Sequence, residues 1–258
     1  MSRSDPDVID SVEKAFRVLE SFSADRPRMS VTEAAETAGL SRATARRILL
    51  TFQRLGFAET DGRSFGLTPR VLRFGFGYLS ALPYWETAQS RMRALADELR
   101  ESCSMATLDG SEIVYVARVP AARSMSITLS IGSRLPAYAT SMGRVLLAAL
   151  PAQELDALLP DLPLEPLTQN TITDAGLLRE ELARVKQQGF AVVDGEREEG
   201  VRSAAAPVRG RGGRVLAAVN VSANAARVPL EELRGVFVPR VVETADAITA
   251  DIGYTGLH

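Results

Sequence analysis

Histidine and cysteine are almost missing from this chain. It holds one of each in 258 residues, His258 and Cys103. A single cysteine excludes an internal disulfide and a cysteine-based metal cluster. One imidazole, at the last position, removes Ser-His and Cys-His nucleophile pairs and His-ligated metals, because each needs a positioned ring. No GxxxxGK[ST] phosphate loop occurs. Catalysis would have to rest on carboxylates alone, so no catalytic residue, metal site or cofactor is assigned and no enzyme is expected. Lysine is scarce as well: Lys14 and Lys186 stand among thirty basic residues, a usage that fits a GC-rich genome better than a function. The opening MSRSDPDVID lacks an apolar signal-peptide core, and no long uncharged apolar run follows it. The expectation is a cytoplasmic protein with no membrane partner.

What is present is charge in an uneven distribution. The formal net charge is −2. Residues 26–73 nevertheless hold nine arginines against four acids, while residues 81–258 carry 18 basic and 22 acidic side chains. That asymmetry predicts an anion-binding head on an acidic body. Within the head, Val8, Val12, Ala15, Phe16, Leu19 and Phe22 fall at helical spacing. Ser30, with Glu33 three residues on, opens a short helix that Gly39 closes. Ser41 caps a third helix running to about residue 55. Ala45, Ile48, Leu49 and Phe52 form the buried stripe of that helix, leaving Arg46, Arg47 and Arg54 on the far side and Arg42 and Thr44 beside its first turn. Residues 57–60 and 64–68 read as strands around Asp61-Gly62, with Arg63 at the tip. Two helices, a tight turn and a hairpin make a winged helix-turn-helix. Arg42, Thr44 and Arg46 are candidates for base edges. Thr32, Ser41, Arg47 and Arg63 are candidates for phosphates of double-stranded operator DNA.

Residues 69–80, PRVLRFGFGYLS, predict a linker helix too apolar to stand alone in water, which calls for a second copy of the chain. Beyond it, helices are expected at 84–103, 140–151, 174–188 and 230–252. Strands are expected at 105–109, 112–119, 125–131, GFAVVD, SAAAPVRG and RVLAAVNVSA. The class is α+β, with domains at 1–68 and 84–258 and the linker at 69–83. Three polar stretches stand out in the body. Thr140-Ser141-Met142-Gly143 offers hydroxyls and backbone N–H groups at a helix start, a place for a carboxylate. Ser203 sits among small apolar residues, and Asn220 and Ser222 share one strand face. Asp194 and Glu196 could shape the rim of such a pocket, whereas Glu198 and Glu199 read as a solvated loop.

The third helix SRATARRILLTFQRLGF, the segment GSRLPAYATSMGRVLLAALP and GFAVVDGEREEGVRSAAAPV together resemble the IclR-type transcriptional regulators along essentially the whole chain. DPDVIDSVEKAFRVLESF and LDGSEIVYVARV are similar to the β-ketoadipate branch, which includes regulators of protocatechuate and 4-hydroxybenzoate breakdown. The resemblance implies a dimer or dimer of dimers with a GAF-like effector domain. It also implies an effector lying against Ser141, Met142, Val193, Asp194, Ser203, Asn220 and Ser222. Ser203 stands where many members of the family carry cysteine, which speaks against thiol-dependent behaviour here. The expected function is a transcriptional regulator answering to a small aromatic or ring-cleavage acid, with Leu135, Tyr138, Met142 and Val193 as apolar wall. Two other readings compete: a DNA-binding protein indifferent to effectors, whose body serves only assembly, and an enzyme of small acids built on Asp194 and Glu196.

Overall fold

A computed structural model describes residues 7–121 and 129–254. His258 and residues 125–128 of one predicted strand lie outside them, and residues 129–131 of that strand form no strand. The chain divides into two units between Ala81 and Leu82.

In the first unit, α1 (Asp10–Glu20) leads through β1 (Arg28–Met29) to α2 (Val31–Ala38) and α3 (Arg42–Leu55). The apolar arc predicted for α1 is split. Val18 and Phe22 pack with Met29, Ala34, Leu49 and Phe65, while Val12 and Phe16 are about half exposed. At about 100° per residue, Val8, Val12 and Phe16 fall on the neighbouring arc, beyond the reach of so small a core. The Ser30 capping box is formed in full, and Gly39, at φ +62°, ends α2 where a side chain would be strained. Ser41 Oγ accepts from Thr44 N at 3.2 Å and opens α3. β2 (Ala58–Thr60) and β3 (Phe65–Leu67) make the wing, and β1 completes a sheet of order β1-β3-β2. β1 went unpredicted because two residues after a proline carry no period. A 3-10 turn (Pro69–Val71) and α4 (Leu72–Ser80), the segment expected as a linker, fall within the first unit. The Phe57 ring stacks on Phe74 at 5.4 Å and receives the Arg70 guanidinium at 5.2 Å.

The second unit begins with α5 (Trp85–Leu99). The predicted helix end at residue 103 is wrong: Arg100 turns left-handed at φ 57°, and Ser102 and Cys103 already belong to β4 (Ser102–Asp109). β5 (Glu112–Val119), β6 (Arg134–Pro136), α6 (Ser141–Ala148), α7 (Ala152–Leu158), α8 (Ala175–Gln188), β7 (Ala191–Asp194), β8 (Val201–Arg209) and β9 (Val215–Asn224) follow. The chain then passes through α9 (Leu230–Glu232) and a π-helical turn (Leu233–Phe237) into α10 (Val238–Tyr254). The six strands form one antiparallel sheet, β6-β5-β4-β9-β8-β7. α6 and α8 share a core with Ala106, Ile113, Ala205 and Ala218. Met105, Ala206 and Val219, of the opposite parity, are buried too, so both faces of the sheet are covered. Every residue of α6 is buried. A Cβ on Gly143 would lie 2.1 Å from the Ala137 carbonyl oxygen, so only glycine lets this helix approach the turn before it. That approach positions Ser141 and Met142.

Candidate functional site

Two sites emerge, one in each unit. In the first, the exposed side of α3 presents Arg42, Arg46, Arg47 and Arg54, and Arg63 stands on the wing turn. None of these five guanidinium groups has a carboxylate within ion-pair distance among the described residues. The two acids of the wing are engaged elsewhere: Arg28 meets Glu59 at 3.2 Å and Asp61 at 3.4 Å. Asp61 also accepts from Ser64 N at 2.8 Å and Arg63 N at 2.9 Å, which holds its carboxyl well below the usual range and fixes the turn. The hydroxyls of Ser41 and Thr44 lie 2.9 Å apart and serve the helix cap first. Thr32, in the first turn of α2, is half-buried. The arginines expected to face away from the core are exposed, while Ser41 and Thr44 already have structural work.

In the second unit a cavity of about 280 Å³ opens beside the sheet. Strand register builds it. Ser102 pairs with Ser222, Ser222 with Ser203, and Ser203 with Val193, a row crossing β4, β9, β8 and β7. A second row runs Arg118, Ser104, Asn220. Paired residues share a face, so hydroxyl and amide groups gather on one side of the sheet. The start of α6 brings Ser141 and Met142 to the same cavity, and Tyr115, Leu129 and Leu135 add apolar wall. Ser141 Oγ and Asn220 Oδ1 are buried there without a hydrogen-bond partner, although the Asn220 amide donates to Ser222 Oγ at 3.1 Å. Leaving such a group unsatisfied costs about 1–3 kcal/mol, a cost that a bound polar ligand removes.

Six of the seven residues expected at the effector come together: Ser141, Met142, Val193, Ser203, Asn220 and Ser222 all line this cavity. Asp194 does not. Its carboxylate pairs with Arg202 at 2.6 Å and its carbonyl accepts from Asn170, because its side chain falls on the sheet face opposite to Val193. Glu196 is not a rim residue either. It holds the guanidinium of Arg144, a buried pair in which Arg144 Nη1 meets Glu196 Oε1 at 2.7 Å and Arg144 Nε donates to the Tyr138 carbonyl at 3.0 Å. Burial pushes the Glu196 carboxyl up, and Arg144 opposes that. Tyr138 itself turns away, its hydroxyl donating to the Glu165 carbonyl at 2.9 Å. The loop residues Glu198 and Glu199, read as solvated, border the cavity with Arg197.

Among the further cavity residues that escaped the sequence are Ser102, Tyr115 and Arg118. Tyr115 and Arg118 are three apart, a spacing that alternation assigns to opposite faces. A register shift between Met105 and Ala106 leaves Val116 unmatched and brings both onto one side. Burial pushes the Tyr115 phenol up, while Arg118 and Arg197 pull it back. Cys103 is fully buried, and that burial pushes its thiol up and leaves it inert.

Comparison with known proteins agrees with this picture. Residues 11–62 match the IclR helix-turn-helix domain, and residues 76–250 match the bacterial transcriptional regulator IclR C-terminal domain. The Pca regulon regulatory protein of Pseudomonas putida is 40% identical over 91% of this chain and 81% of its own. The p-hydroxybenzoate hydroxylase transcriptional activator of Acinetobacter baylyi is 36% identical over 94% of this chain and 91% of its own. Among solved structures, an IclR homologue from Microbacterium hydrocarbonoxydans complexed with 4-hydroxybenzoate superposes with a TM-score of 0.82. It is 25% identical, and the match covers 95% of this chain and 99% of that one. A helix-turn-helix head with free arginines, an antiparallel-sheet body with a polar cavity, and family matches across both units lead to one conclusion: this chain belongs to the IclR family of bacterial transcriptional regulators.

Proposed function

We propose that the protein regulates aromatic-acid catabolism by binding operator DNA through its head and a small aromatic acid, such as 4-hydroxybenzoate or protocatechuate, in the cavity of its body. The observation that carries this reading is the pair of orphaned buried atoms, Ser141 Oγ and Asn220 Oδ1, in a cavity whose apolar wall includes Tyr115, Leu135, Met142 and Val193. A cavity of about 280 Å³ is near the lower end of the ~300–1,000 Å³ in which small ligands bind. A single substituted ring fits that scale. Ser203 and Ser222 supply further hydrogen-bonding groups along the sheet.

In the head, Arg42 and Arg46 take base edges with Thr44 beside them, and Arg47, Arg63, Ser41 and Thr32 take phosphates. Self-association completes the device. α4 exposes Leu72, Phe74, Phe76 and Tyr78, and α1 exposes Val12 and Phe16, an apolar surface suited to a second copy of the same unit. An effector alters transcription by binding two states of that assembly unequally, and a tenfold effect needs about 1.4 kcal/mol of difference. Isothermal titration of the full chain with 4-hydroxybenzoate, protocatechuate and β-ketoadipate tests the effector class; no heat from any of the three discards it. Binding to the intergenic DNA upstream of its own gene, followed across salt, tests the head. A steep loss of affinity from low to moderate salt is expected, and no binding at any salt contradicts the reading.

A further inference from the structure

The cavity holds three arginines, Arg118, Arg197 and Arg227. Two of them are spoken for: Arg197 meets Glu198 at 3.3 Å, and Arg227 meets Glu101 at 2.6 Å. Arg118 has no carboxylate within ion-pair distance among the described residues; its contact is a long one, Nη1 to Ser104 Oγ at 3.4 Å. The remaining acid of the cavity, Glu199, is exposed at the mouth, whereas Arg118 is half-buried on the sheet. A guanidinium shielded from water and lacking a counter-charge is costly unless an anion joins it.

Its place in the fold gives that anion an address. Arg118, Ser104 and Asn220 are consecutive partners across β5, β4 and β9, so Arg118 and Asn220 stand two strand spacings apart, about 9–10 Å between backbones. The row thus offers a cation at one end and the orphaned acceptor Asn220 Oδ1 at the other. Such a row is matched by a short rigid molecule with a carboxylate at one end and a hydroxyl donor at the other. Ser104, buried between them, props the guanidinium.

We infer that Arg118 is the residue that receives the effector's carboxylate, and that the protein therefore selects hydroxylated aromatic acids with the ring hydroxyl donating to Asn220. This rests on the effector reading above and differs from the expectation that the start of α6 takes the charge. On this assignment Ser141 serves as a neutral hydrogen-bond partner.

The test is a comparison of 4-hydroxybenzoate with its neutral isostere 4-hydroxybenzamide, each titrated into the full chain and into Arg118→Gln and Arg118→Lys. The wild-type protein prefers the acid. Arg118→Gln weakens the acid by about 10- to 100-fold, changes the amide by less than about threefold, and so removes the preference. Arg118→Lys keeps the positive charge and retains part of the preference; it also carries the test if the glutamine variant does not fold. An acid preference that survives in Arg118→Gln, or equal losses for acid and amide, overturns the assignment and leaves the regulator reading standing. A wild-type chain that binds no aromatic acid overturns both.

Discussion

The two units use arginine in opposite ways. In the head, the guanidinium groups of α3 and the wing tip stand exposed with no acid beside them. In the body, Arg134, Arg144, Arg202 and Arg240 each lie against a carboxylate. A free exposed cation is cheap to maintain in water and available for a phosphate or a guanine edge. A buried cation has to be neutralised at once, and Arg144, with Glu196 and Glu181 around it, shows the requirement met. The same residue type thus stands free of acids on the exposed helix of one unit and, where it is buried in the other, is held by carboxylates. Arg118 differs from the other arginines of the body in being half-buried without a carboxylate among the described residues, and its proposed role follows from that.

Substitutions sharpen this contrast, beginning with the most damaging. Arg144→Met leaves Glu196 buried without its cation and Glu181 with Arg184 alone, and lowers unfolding stability by about 3–5 kcal/mol, measured by urea denaturation of the full chain. Arg42→Ala or Arg46→Ala changes that stability by less than about 0.5 kcal/mol, yet costs operator binding roughly 1–3 kcal/mol if the residue reads a base. A phosphate contact instead shows as a uniform loss across DNA sequences with a shallower salt slope, so a mobility-shift titration separates the roles. Ser141→Ala removes a hydroxyl that only the ligand satisfies; effector affinity falls by about 0.5–1.5 kcal/mol in calorimetry, and the apo protein is no less stable. Arg179→Ala breaks the exposed pair with Asp156 and moves the thermal midpoint only slightly, by the equivalent of less than about 1 kcal/mol. A head arginine whose loss unfolds the protein, or an Arg144 whose loss does not, would break the contrast.

The head was legible almost residue by residue. Its helix ends are set by caps within three or four positions, Ser30 to Glu33 and Ser41 to Thr44, and by glycines at positive φ. Such signals are local, and local spacing reads them. The cavity was legible in part. Ser203, Asn220 and Ser222 announced themselves as hydroxyl and amide groups in otherwise apolar strands. Ser102 was lost because the end of α5 was placed four residues too far along, past the left-handed Arg100. Arg118 was lost because the register shift opposite Met105 and Ala106 breaks the alternation by which a strand is read. Asp194 was misassigned because it neighbours Val193 in sequence but points to the other face.

By itself the sequence determined the division into a basic head and an acidic body, the caps and periods of the main helices, and the polar composition of the strands that border the cavity. The tertiary structure alone decided which of those polar groups meet. Ser102 and Ser222 are 120 positions apart, and their pairing depends on β4 lying beside β9. No local pattern encodes that neighbourhood, because register is set by the packing of both sheet faces at once. The same packing determined which arginines found a carboxylate and left Arg118 without one.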